Sequence, residues 1–192
     1  MASRYDDELW ELAHVRDHPP GARADWVASL EPARHALDLG CGDGALSPSI
    51  RADRLTLADV SAVALSRAQA RMPDAERAEL EPDAPLPFPD GAFDLVVCAE
   101  TLEHVRDVQL LLSELRRVLR PGGALAITTP AYSRLTAARL VLRGWESLFE
   151  PLSPHLRFFT RRSLARLLDE LGFDVTSLSR RAGTLLALAS RA

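Results

Sequence analysis

The segment Ala36-Leu-Asp-Leu-Gly-Cys-Gly-Asp-Gly44 combines an apolar run with three glycines at alternate positions. The apolar residues predict a β-strand that ends at Leu39. Glycine has no Cβ and adopts positive φ readily, so a turn with glycine at positions 40, 42 and 44 lets the backbone approach a ligand closely. We expect a helix to begin near residue 44 and to present free N–H groups to that ligand. The segment therefore predicts a ligand site at the carboxyl end of a strand.

Two acidic residues accompany this turn. Asp38 lies two residues before the first glycine, where a carboxylate suits an ammonium or sulfonium group better than a pyrophosphate. Asp59 follows a second predicted strand over 54–58. An acid at that place accepts hydrogen bonds from ribose hydroxyls in dinucleotide-binding folds. The alternative is that Asp59 caps the next helix beside Ser61.

The rest of the chain alternates strand and helix patterns. Further strands are predicted near 75–80, over 93–98 and 124–129, and as a terminal pair joined by a turn near 181–183. Helices are predicted over 5–15 and 21–30, from Ser61 to about Arg71, from Asp107 to Pro121-Gly122-Gly123, and from Thr160 to Gly172. This order predicts an α/β, Rossmann-like, doubly wound sheet. We expect seven strands, mostly parallel with an antiparallel last strand, and helices on both faces.

The amino-acid composition excludes several classes of function. The 192 residues are 47% hydrophobic and 26% charged, which is typical of a globular protein. All 23 basic residues are arginine, so lysine Schiff-base chemistry and a P-loop lysine are excluded. Two cysteines suggest neither a disulfide framework nor a metal site, and no apolar run is long enough to span a membrane. The net charge of −4 argues against a nucleic-acid partner, and we expect a cytoplasmic protein.

Two cofactors compete for the glycine turn. Residues 40–45 also satisfy the loose G-x-G-x-x-A pattern of NAD sites. The third glycine, the acid at 38 and the absence of room for a separate catalytic domain count against NAD. ALDLGCGDG (36–44) resembles motif I of the class I S-adenosylmethionine-dependent methyltransferases.

The resemblance covers the chain from about residue 34 to its end. Three segments are similar to the branch that contains the ubiquinone and menaquinone biosynthesis methyltransferases (methyltransferase domain type 11): LPFPDGAFDLVVCAETLEHV (86–105), LRRVLRPGGALAITTP (115–130) and HLRFFTRRSLARLLDELGFDV (155–175). The resemblance implies methyl transfer from S-adenosylmethionine by in-line displacement, with S-adenosylhomocysteine as the product. It also implies a small-molecule acceptor.

The resemblance further implies where the cofactor binds. Asp38, Gly40, Gly42 and Gly44 would surround its methionine part, with Cys41 in the same turn. Asp59 would bind the ribose and Val60 would pack against the adenine. An acid shortly before the LPF segment contacts the adenine amino group in the family; Glu79, followed by Leu80, is the best candidate, with Glu81 and Asp83 as rivals. Cys98 and Ala99 would line the cofactor at the end of the fourth strand.

The catalytic candidates follow that strand. Methyl transfer requires mainly that donor and acceptor be held in line, but an acceptor oxygen also needs a base. His104, in the sequence LEH, and Glu100 are the candidates, with Glu103 beside them. The alternative for His104 is a local hydrogen bond and packing under the cofactor.

We divide the single predicted domain 1–192 into N-terminal helices (1–30), a cofactor-binding core (34–130), a substrate cap (131–157) and a last helix with the terminal strand pair (158–192). The substrate candidates in and beside the cap are Tyr132, Arg143, Trp145 and His155. Its arginines and aromatic residues suit an anionic or apolar-aromatic acceptor, unless the cap is an amphipathic helix with its arginines in water. We expect a monomer or a homodimer.

Two other functions remain open at this point. A protein or RNA methyltransferase is less favoured, because Ala-Glu-Thr (99–101) stands where an Asn/Asp-Pro-Pro-Tyr motif would be expected. A sensor or non-catalytic partner subunit that binds S-adenosylmethionine would keep the same glycine turn.

Overall fold

Seven strands form one sheet in the computed structural model, which describes residues 7–8, 10–12, 21–132 and 156–192. The strands are β1 (Ala33–Leu39), β2 (Ala52–Asp59), β3 (Glu76–Glu79), β4 (Phe93–Ala99), β5 (Leu119–Pro130), β6 (Phe173–Arg181) and β7 (Thr184–Arg191). They lie in the order β3-β2-β1-β4-β5-β7-β6. β1 to β5 are parallel, and β7 is antiparallel to both of its neighbours. The predicted fold class is confirmed.

Four helices with defined bounds accompany the sheet within the described ranges: α1 (Ala22–Ala28), α2 (Ala62–Arg71), α3 (Val108–Val118) and α4 (Arg161–Glu170). The starts of α2, α3 and α4 follow the predicted caps. The Ser61 hydroxyl accepts the N–H of Ala64, and Asp107 accepts two N–H groups of the first turn of α3. Thr160 forms a capping box with Ser163. Residues 7–8 and 10–12 are also helical.

The core lies on both faces of the sheet, because successive strand residues point in opposite directions. Leu37 and Val96 belong to one cluster, which also contains buried leucines of α3 and α4. Ala36 and Val97, their neighbours in sequence, belong to a second cluster with Val27 of α1 and residues of α2. Burying a leucine or valine contributes roughly 1.5–3 kcal/mol. The two clusters therefore hold helices against both faces, as predicted.

The order of the strands reverses between β1 and β4. β2 follows β1 on one side, whereas β4 pairs with β1 on the other. The loops that leave the carboxyl ends of β1 and β4 run in opposite directions and leave a crevice, which is where open α/β sheets bind ligands. The glycine turn begins at this point.

The helix predicted to begin near residue 44 is wrong. Between β1 and β2, a stretch that the structure describes completely, the only helical turn is the 3₁₀ turn Ser47–Ser49. Only residues 45–51 separate the glycine turn from β2, and a helix that short is marginal in water. Pro48 also lacks the N–H that a longer helix would need.

The predicted end of α3 is also wrong. The helix ends at Val118, and Pro121, Gly122 and Gly123 lie inside β5. Leu119 is already extended, with φ −74° and ψ 138°, and Arg120, the residue before Pro121, is disfavoured in the helical region. The register of β5 against β4 shifts between Phe93 and Leu95. β5 therefore contains these glycines at its start, where its pairing with β4 is irregular.

We expect Gly44→Ala to destabilise the fold. Gly44 has φ +75°, and a Cβ there would lie 2.9 Å from Cα of Ala68 in α2. Gly122→Ala is the matched control, because Gly122 has φ +72° but nothing within 4 Å of the added atom. Gly44→Ala should lose about 1–3 kcal/mol more unfolding free energy than the control, measured by urea denaturation. Equal losses of unfolding free energy in the two variants would show that the packing of α2 against Gly44 does not require glycine there.

Candidate cofactor and acceptor site

The glycine turn leaves β1 in a conformation that suits glycine. Gly40, Gly42 and Gly44 have φ of 67°, 55° and 75°. The N–H groups of Gly40 and Cys41 donate to the carbonyl of Ala58, at 2.7 and 3.1 Å, so the turn crosses the end of β2. The turn is therefore tied to the strand that ends in Asp59.

Protein atoms fill the space next to each of these three glycines. An added Cβ would meet the side chain of Thr101 at Gly40 and Ala68 at Gly44, and at Gly42 it would lie 2.8 Å from the ring of Trp10. The glycines are required by these close contacts as well as by their positive φ. Packing alone thus explains glycine at these positions, and the role of the turn depends on its neighbours.

Asp59 links the turn to α2. Its Oδ2 accepts the N–H of Gly42 at 2.9 Å and its Oδ1 accepts the N–H of Ser61 at 3.0 Å, while the side chain is 7% exposed. Ser61 is the residue that caps α2, and Asp59 holds it in place while its carboxylate also lies at the turn. The two uses are compatible, since a carboxylate has about four acceptor sites.

Asp38 is the second buried carboxylate here. Its Oδ2 accepts the hydroxyl of Ser47 at 2.6 Å. Burial is the main reason that the pKa of Asp38 rises to about 6, and the nearby charge of Asp59 adds to the rise. Within the described residues, the one hydrogen bond to the side chain of Asp38 comes from the neutral hydroxyl of Ser47. The crevice is therefore negative, which suits a cationic ligand and disfavours a pyrophosphate.

The N-terminal segment reaches this crevice, which sequence reasoning missed. Asp7 Oδ1 accepts the hydroxyl of Ser61 at 2.5 Å and the N–H of Val63 at 3.1 Å, while Trp10 lies on Gly42. These hydrogen bonds lower the pKa of Asp7, with that from Ser61 first. Asp7 and Trp10 are three residues apart and therefore lie on one face of a helix. That spacing is the sequence signal that could have predicted their shared contact with the crevice.

The predicted adenine contacts lie beside Asp59. Asp59 and Glu79 are register partners in β2 and β3, and the N–H of Leu80 donates to the carbonyl of Asp59 at 2.8 Å. Glu79 and its rival Glu81 are exposed, and Val60 is half-buried. The other rival, Asp83, is paired with Arg106 at 3.4 Å. The structure thus brings Glu79 to the same sheet edge as Asp59.

The end of β4 contains Cys98 and Ala99, which the sequence predicts to line the cofactor. Cys98 is fully buried and Ala99 half-buried, while Cys41 is 9% exposed. Burial raises the pKa of both thiols, so neither is a nucleophile at neutral pH. β4 pairs with β1 at this end, Leu39 opposite Cys98. Both cysteines are small residues packed beside the crevice.

Glu100 comes next, in a left-handed backbone conformation with φ 52°. Thr128 donates to its Oε1 at 2.9 Å, and Arg23 pairs with its Oε2 at 3.2 Å. Both carboxylate oxygens therefore have partners. Glu100 faces β5, on the far side of β4 from the glycine turn.

His104 and Glu103 follow in the 3₁₀ turn Leu102–His104. Glu103 is 1% exposed, and its Oε2 accepts the hydroxyl of Thr129 at 3.0 Å. His104 is exposed, with Nε2 4.0 Å from Glu103 Oε1. The carbonyl of Glu103 accepts the N–H groups of Leu156 and Arg157. This turn therefore anchors the described end of the predicted cap.

Little of the cap lies within the described residues. Tyr132 is half-buried, its N–H donates to the carbonyl of Phe159 at 2.9 Å, and its ring lies 4.3 Å from that of Phe158. Burial raises the pKa of Tyr132. Arg143, Trp145 and His155 lie outside the described residues. No helix in the described part of the chain is long and apolar enough to cross a membrane.

Sequence comparison identifies relatives among methyltransferases. Residues 13–178 match the family model of a methyltransferase domain. A Mycolicibacterium smegmatis protein named "Probable S-adenosylmethionine-dependent methyltransferase" is 35% identical over 74% of this chain and 52% of its own length. A malonyl-[acyl-carrier protein] O-methyltransferase of Enterobacter lignolyticus is 33% identical over 82% and 64%. A ubiquinone biosynthesis O-methyltransferase of Ralstonia nicotianae is 31% identical over 67% and 57%. The chain thus spans half to two thirds of the length of these relatives.

Solved structures share the fold. A Haloferax volcanii chain from a complex with the Trm112 methyltransferase activator matches with a TM-score of 0.73 and 19% identity, over 99% of this chain and 95% of that one. The [4+2]-cyclase SpnF matches with a TM-score of 0.67 and 18% identity, over 98% and 81%. The fold alone therefore does not fix the reaction. The family match and the described glycine turn together show that the chain belongs to the S-adenosylmethionine-dependent methyltransferases of class I, whose cofactor is S-adenosylmethionine.

Proposed function

We propose that the chain transfers the methyl group of S-adenosylmethionine to a small-molecule acceptor. The observation that carries the proposal is the pair of buried carboxylates, Asp38 and Asp59, beside a glycine turn. The cofactor is cationic at its ammonium and sulfonium groups, so this negative crevice attracts it. An electrophilic methyl group is the chemistry that the bound cofactor supplies.

The chain's own residues would hold the cofactor along the carboxyl edge of β1, β2 and β3. Asp59 would accept hydrogen bonds from the ribose hydroxyls. Asp38, Gly40, Cys41, Gly42 and Gly44 would border the methionine part. Val60, Glu79 and Leu80 would border the adenine, and Cys98 and Ala99 would close the crevice from β4. This placement is supported by the pairing of Asp59 with Glu79 across β2 and β3.

A small-molecule acceptor is supported by the name of one relative, the ubiquinone biosynthesis enzyme. The malonyl-[acyl-carrier protein] and ubiquinone biosynthesis enzymes are O-methyltransferases, and an acceptor oxygen must lose its proton. We propose His104 as the group that takes it, because the oxygens of Glu100 are bonded to Thr128 and Arg23. The buried carboxylate of Glu103, 4.0 Å from the His104 ring, would stabilise the imidazolium that forms. Tyr132, with Arg143, Trp145 and His155 of the cap, would border the acceptor.

The activity is tested by incubating the purified chain with S-adenosylmethionine labelled in its methyl group and a panel of small hydroxylated, carboxylated and amine-bearing metabolites. A labelled product that requires the protein supports the proposal. Tight cofactor binding with no transfer to any member of the panel would contradict it and favour a sensor or a partner subunit.

Asp59→Ala should weaken S-adenosylmethionine binding. Loss of a charge-assisted hydrogen-bonded partner corresponds to about 1.5–3 kcal/mol, or about 10- to 150-fold in Kd, by isothermal titration. Asp53→Ala is the matched control, because Asp53 is an exposed aspartate near the start of the same strand. Since Asp59 also holds Gly42 and Ser61, thermal unfolding of both variants is measured in parallel. A folded Asp59→Ala protein that binds normally would show that the ribose lies elsewhere.

Affinity for S-adenosylmethionine should rise between pH 5 and pH 7. The pKa of Asp38 is about 6, so the carboxyl is mostly protonated at pH 5 and mostly charged at pH 7. A cationic ligand favours the charged form, and binding near pH 6 should therefore release protons. The affinity gain should be up to about tenfold across this range.

Asp38→Asn provides the control for this pH dependence. The amide oxygen can still accept the Ser47 hydroxyl, but it does not titrate, so the gain between pH 5 and pH 7 should disappear. The measurement is isothermal titration in buffers of different ionisation enthalpy. An equal pH dependence in the variant would show that another group is responsible.

For an acceptor oxygen found in the panel, His104→Gln should lower kcat by about 10²- to 10⁴-fold, which is the range for losing a general base. The Kd of S-adenosylmethionine should stay within about twofold, since the proposed cofactor contacts are intact. Rapid-quench measurement of the transfer step separates these effects. A normal rate would leave His104 with a packing role.

A further inference from the structure

A second polar cavity opens on the other side of β4 from the glycine turn. Its volume is about 260 Å³, and it is lined by Ala22, Arg23, Glu100, Arg181, Ala182, Thr184 and Leu186. Three separate parts of the chain meet there: the start of α1, the end of β4 and the hairpin between β6 and β7. This volume lies slightly below the range for small-molecule pockets, which begins at about 300 Å³, and therefore suits a small group.

The carboxylate in this cavity is held firmly. Glu100 has φ 52°, a left-handed conformation that is strained for a residue other than glycine. Its N–H donates to the carbonyl of Thr128 at 2.8 Å, and its side chain is bonded to Thr128 and Arg23. Because these three contacts fix both backbone and side chain, Arg23 and Glu100 form a pre-organised polar wall.

The hairpin places a second guanidinium at the cavity. Ala182 and Gly183 have φ of 46° and 90°, as in the tight two-residue turns that match strand twist. The carbonyl of Gly183 accepts the N–H of Ala131 at 2.7 Å, which ties the hairpin tip to the end of β5. Arg181 therefore has a fixed backbone beside the cavity.

The charge of the cavity is unbalanced. Arg23 is paired with Glu100, whereas Arg181 has neither a hydrogen bond nor an ion pair from its side chain to any residue in the described ranges. One positive charge is thus left over, next to the apolar surface of Leu186, Ala22 and Ala182. A planar guanidinium binds carboxylate and phosphate oxygens in a bidentate manner.

The cavity is also next to the proposed reaction site. Glu100 immediately precedes Thr101, whose side chain packs on Gly40 of the glycine turn. A molecule in the cavity would therefore lie across the end of β4 from the cofactor, at the place where an acceptor must sit. The anionic group of the acceptor would lie beside Glu100, so that its reacting atom extends past Thr101 toward the cofactor.

We propose that this cavity binds the acceptor through a carboxylate or phosphate group, with Arg181 as the anion-binding residue and the Arg23–Glu100 pair as the orienting wall. The inference rests on the proposed methyl transfer and adds the substrate class to it: a small acceptor with a short apolar skeleton and one anionic group. Anion binding and methyl transfer have separate measurements, so that either can fail without the other.

The binding test uses the full chain with ¹⁵N-labelled arginine. Inorganic phosphate, propionate and propionamide are titrated at constant ionic strength while the Nε–Hε resonances are followed by NMR. The Arg181 resonance, identified by its absence in Arg181→Gln, should shift saturably with phosphate or propionate and not with the neutral amide. Comparison of the Kd values of phosphate and propionate distinguishes a phosphate-bearing from a carboxylate-bearing acceptor.

Arg180→Gln is the matched control, because Arg180 is exposed on the same strand and points to its opposite face. In both variants the Kd of the anion is measured from the shift of the Arg23 resonance. This Kd should rise about tenfold or more in Arg181→Gln and stay unchanged in Arg180→Gln. An equal effect in both variants, or no saturable shift in the wild type, would mean a nonspecific attraction and overturn the proposed site.

The catalytic arm uses the same variants. S-adenosylhomocysteine should bind the wild type and both variants equally. For an anionic acceptor from the metabolite panel, Arg181→Gln should raise KM about tenfold or more with little change in kcat, as expected for a group that binds the acceptor equally before and during transfer. An unchanged KM would overturn the assignment of this cavity to the acceptor. Failure of the wild type to bind S-adenosylhomocysteine would instead overturn the proposed function, whatever the anion titration shows.

Discussion

The carboxylate of Asp59 holds together the parts of the chain that form the proposed cofactor crevice. It accepts the N–H of Gly42 in the turn after β1 and the N–H of Ser61 at the start of α2. Ser61 in turn donates its hydroxyl to Asp7, and Trp10 of the same N-terminal segment lies on Gly42. Because a buried carboxylate is costly unless its oxygens are satisfied, the turn, the helix and the N-terminal segment are fixed relative to one charged group.

This arrangement also gives the crevice its charge. Asp38 lies close enough to Asp59 for the two carboxylates to repel each other, and Asp38 is bonded only to a neutral hydroxyl within the described ranges. Two acids in one crevice destabilise the empty protein, and a cation relieves that cost. Binding of a positively charged ligand would therefore offset the repulsion between Asp38 and Asp59, as expected at a functional site.

β4 separates two chemically different neighbourhoods. Toward β1 it borders the acidic crevice, and toward β5 and β7 it borders a cavity with an excess arginine. Glu100 and Thr101, at its carboxyl end, face one side each. The cationic methyl donor and the anionic acceptor that we propose would therefore be attracted to opposite sides of the end of β4.

The sequence predicted what depends on short-range patterns. The caps at Ser61, Asp107 and Thr160 were predictable because a capping side chain bonds to backbone two or three residues away. The strand ends at Leu39 and Asp59 followed from apolar runs that stop at polar residues. The helix near residue 44 was wrong because the distance left before β2 was not weighed against the glycine turn.

Contacts between distant segments were not predictable from these patterns. Nothing local to Trp10 indicates that it lies on Gly42, and Arg23, Glu100 and Arg181 are joined only by the order of the strands. Glu100 was predicted as a catalytic candidate from its place after β4, but its bonds to Thr128 and Arg23 depend on β5 and α1. The residues proposed for the cofactor thus lie mostly in short sequence patterns, whereas those proposed for the acceptor are brought together only by tertiary structure.

A crystal structure of the full chain with S-adenosylhomocysteine tests the central claim most directly. The account predicts the ribose hydroxyls within hydrogen-bonding distance of the Asp59 carboxylate, the adenine beside Val60 and Leu80, and the amino-acid end along the turn at 40–44. A nucleoside bound elsewhere on the sheet, or a crevice that remains closed by Trp10 at saturating ligand, would contradict it.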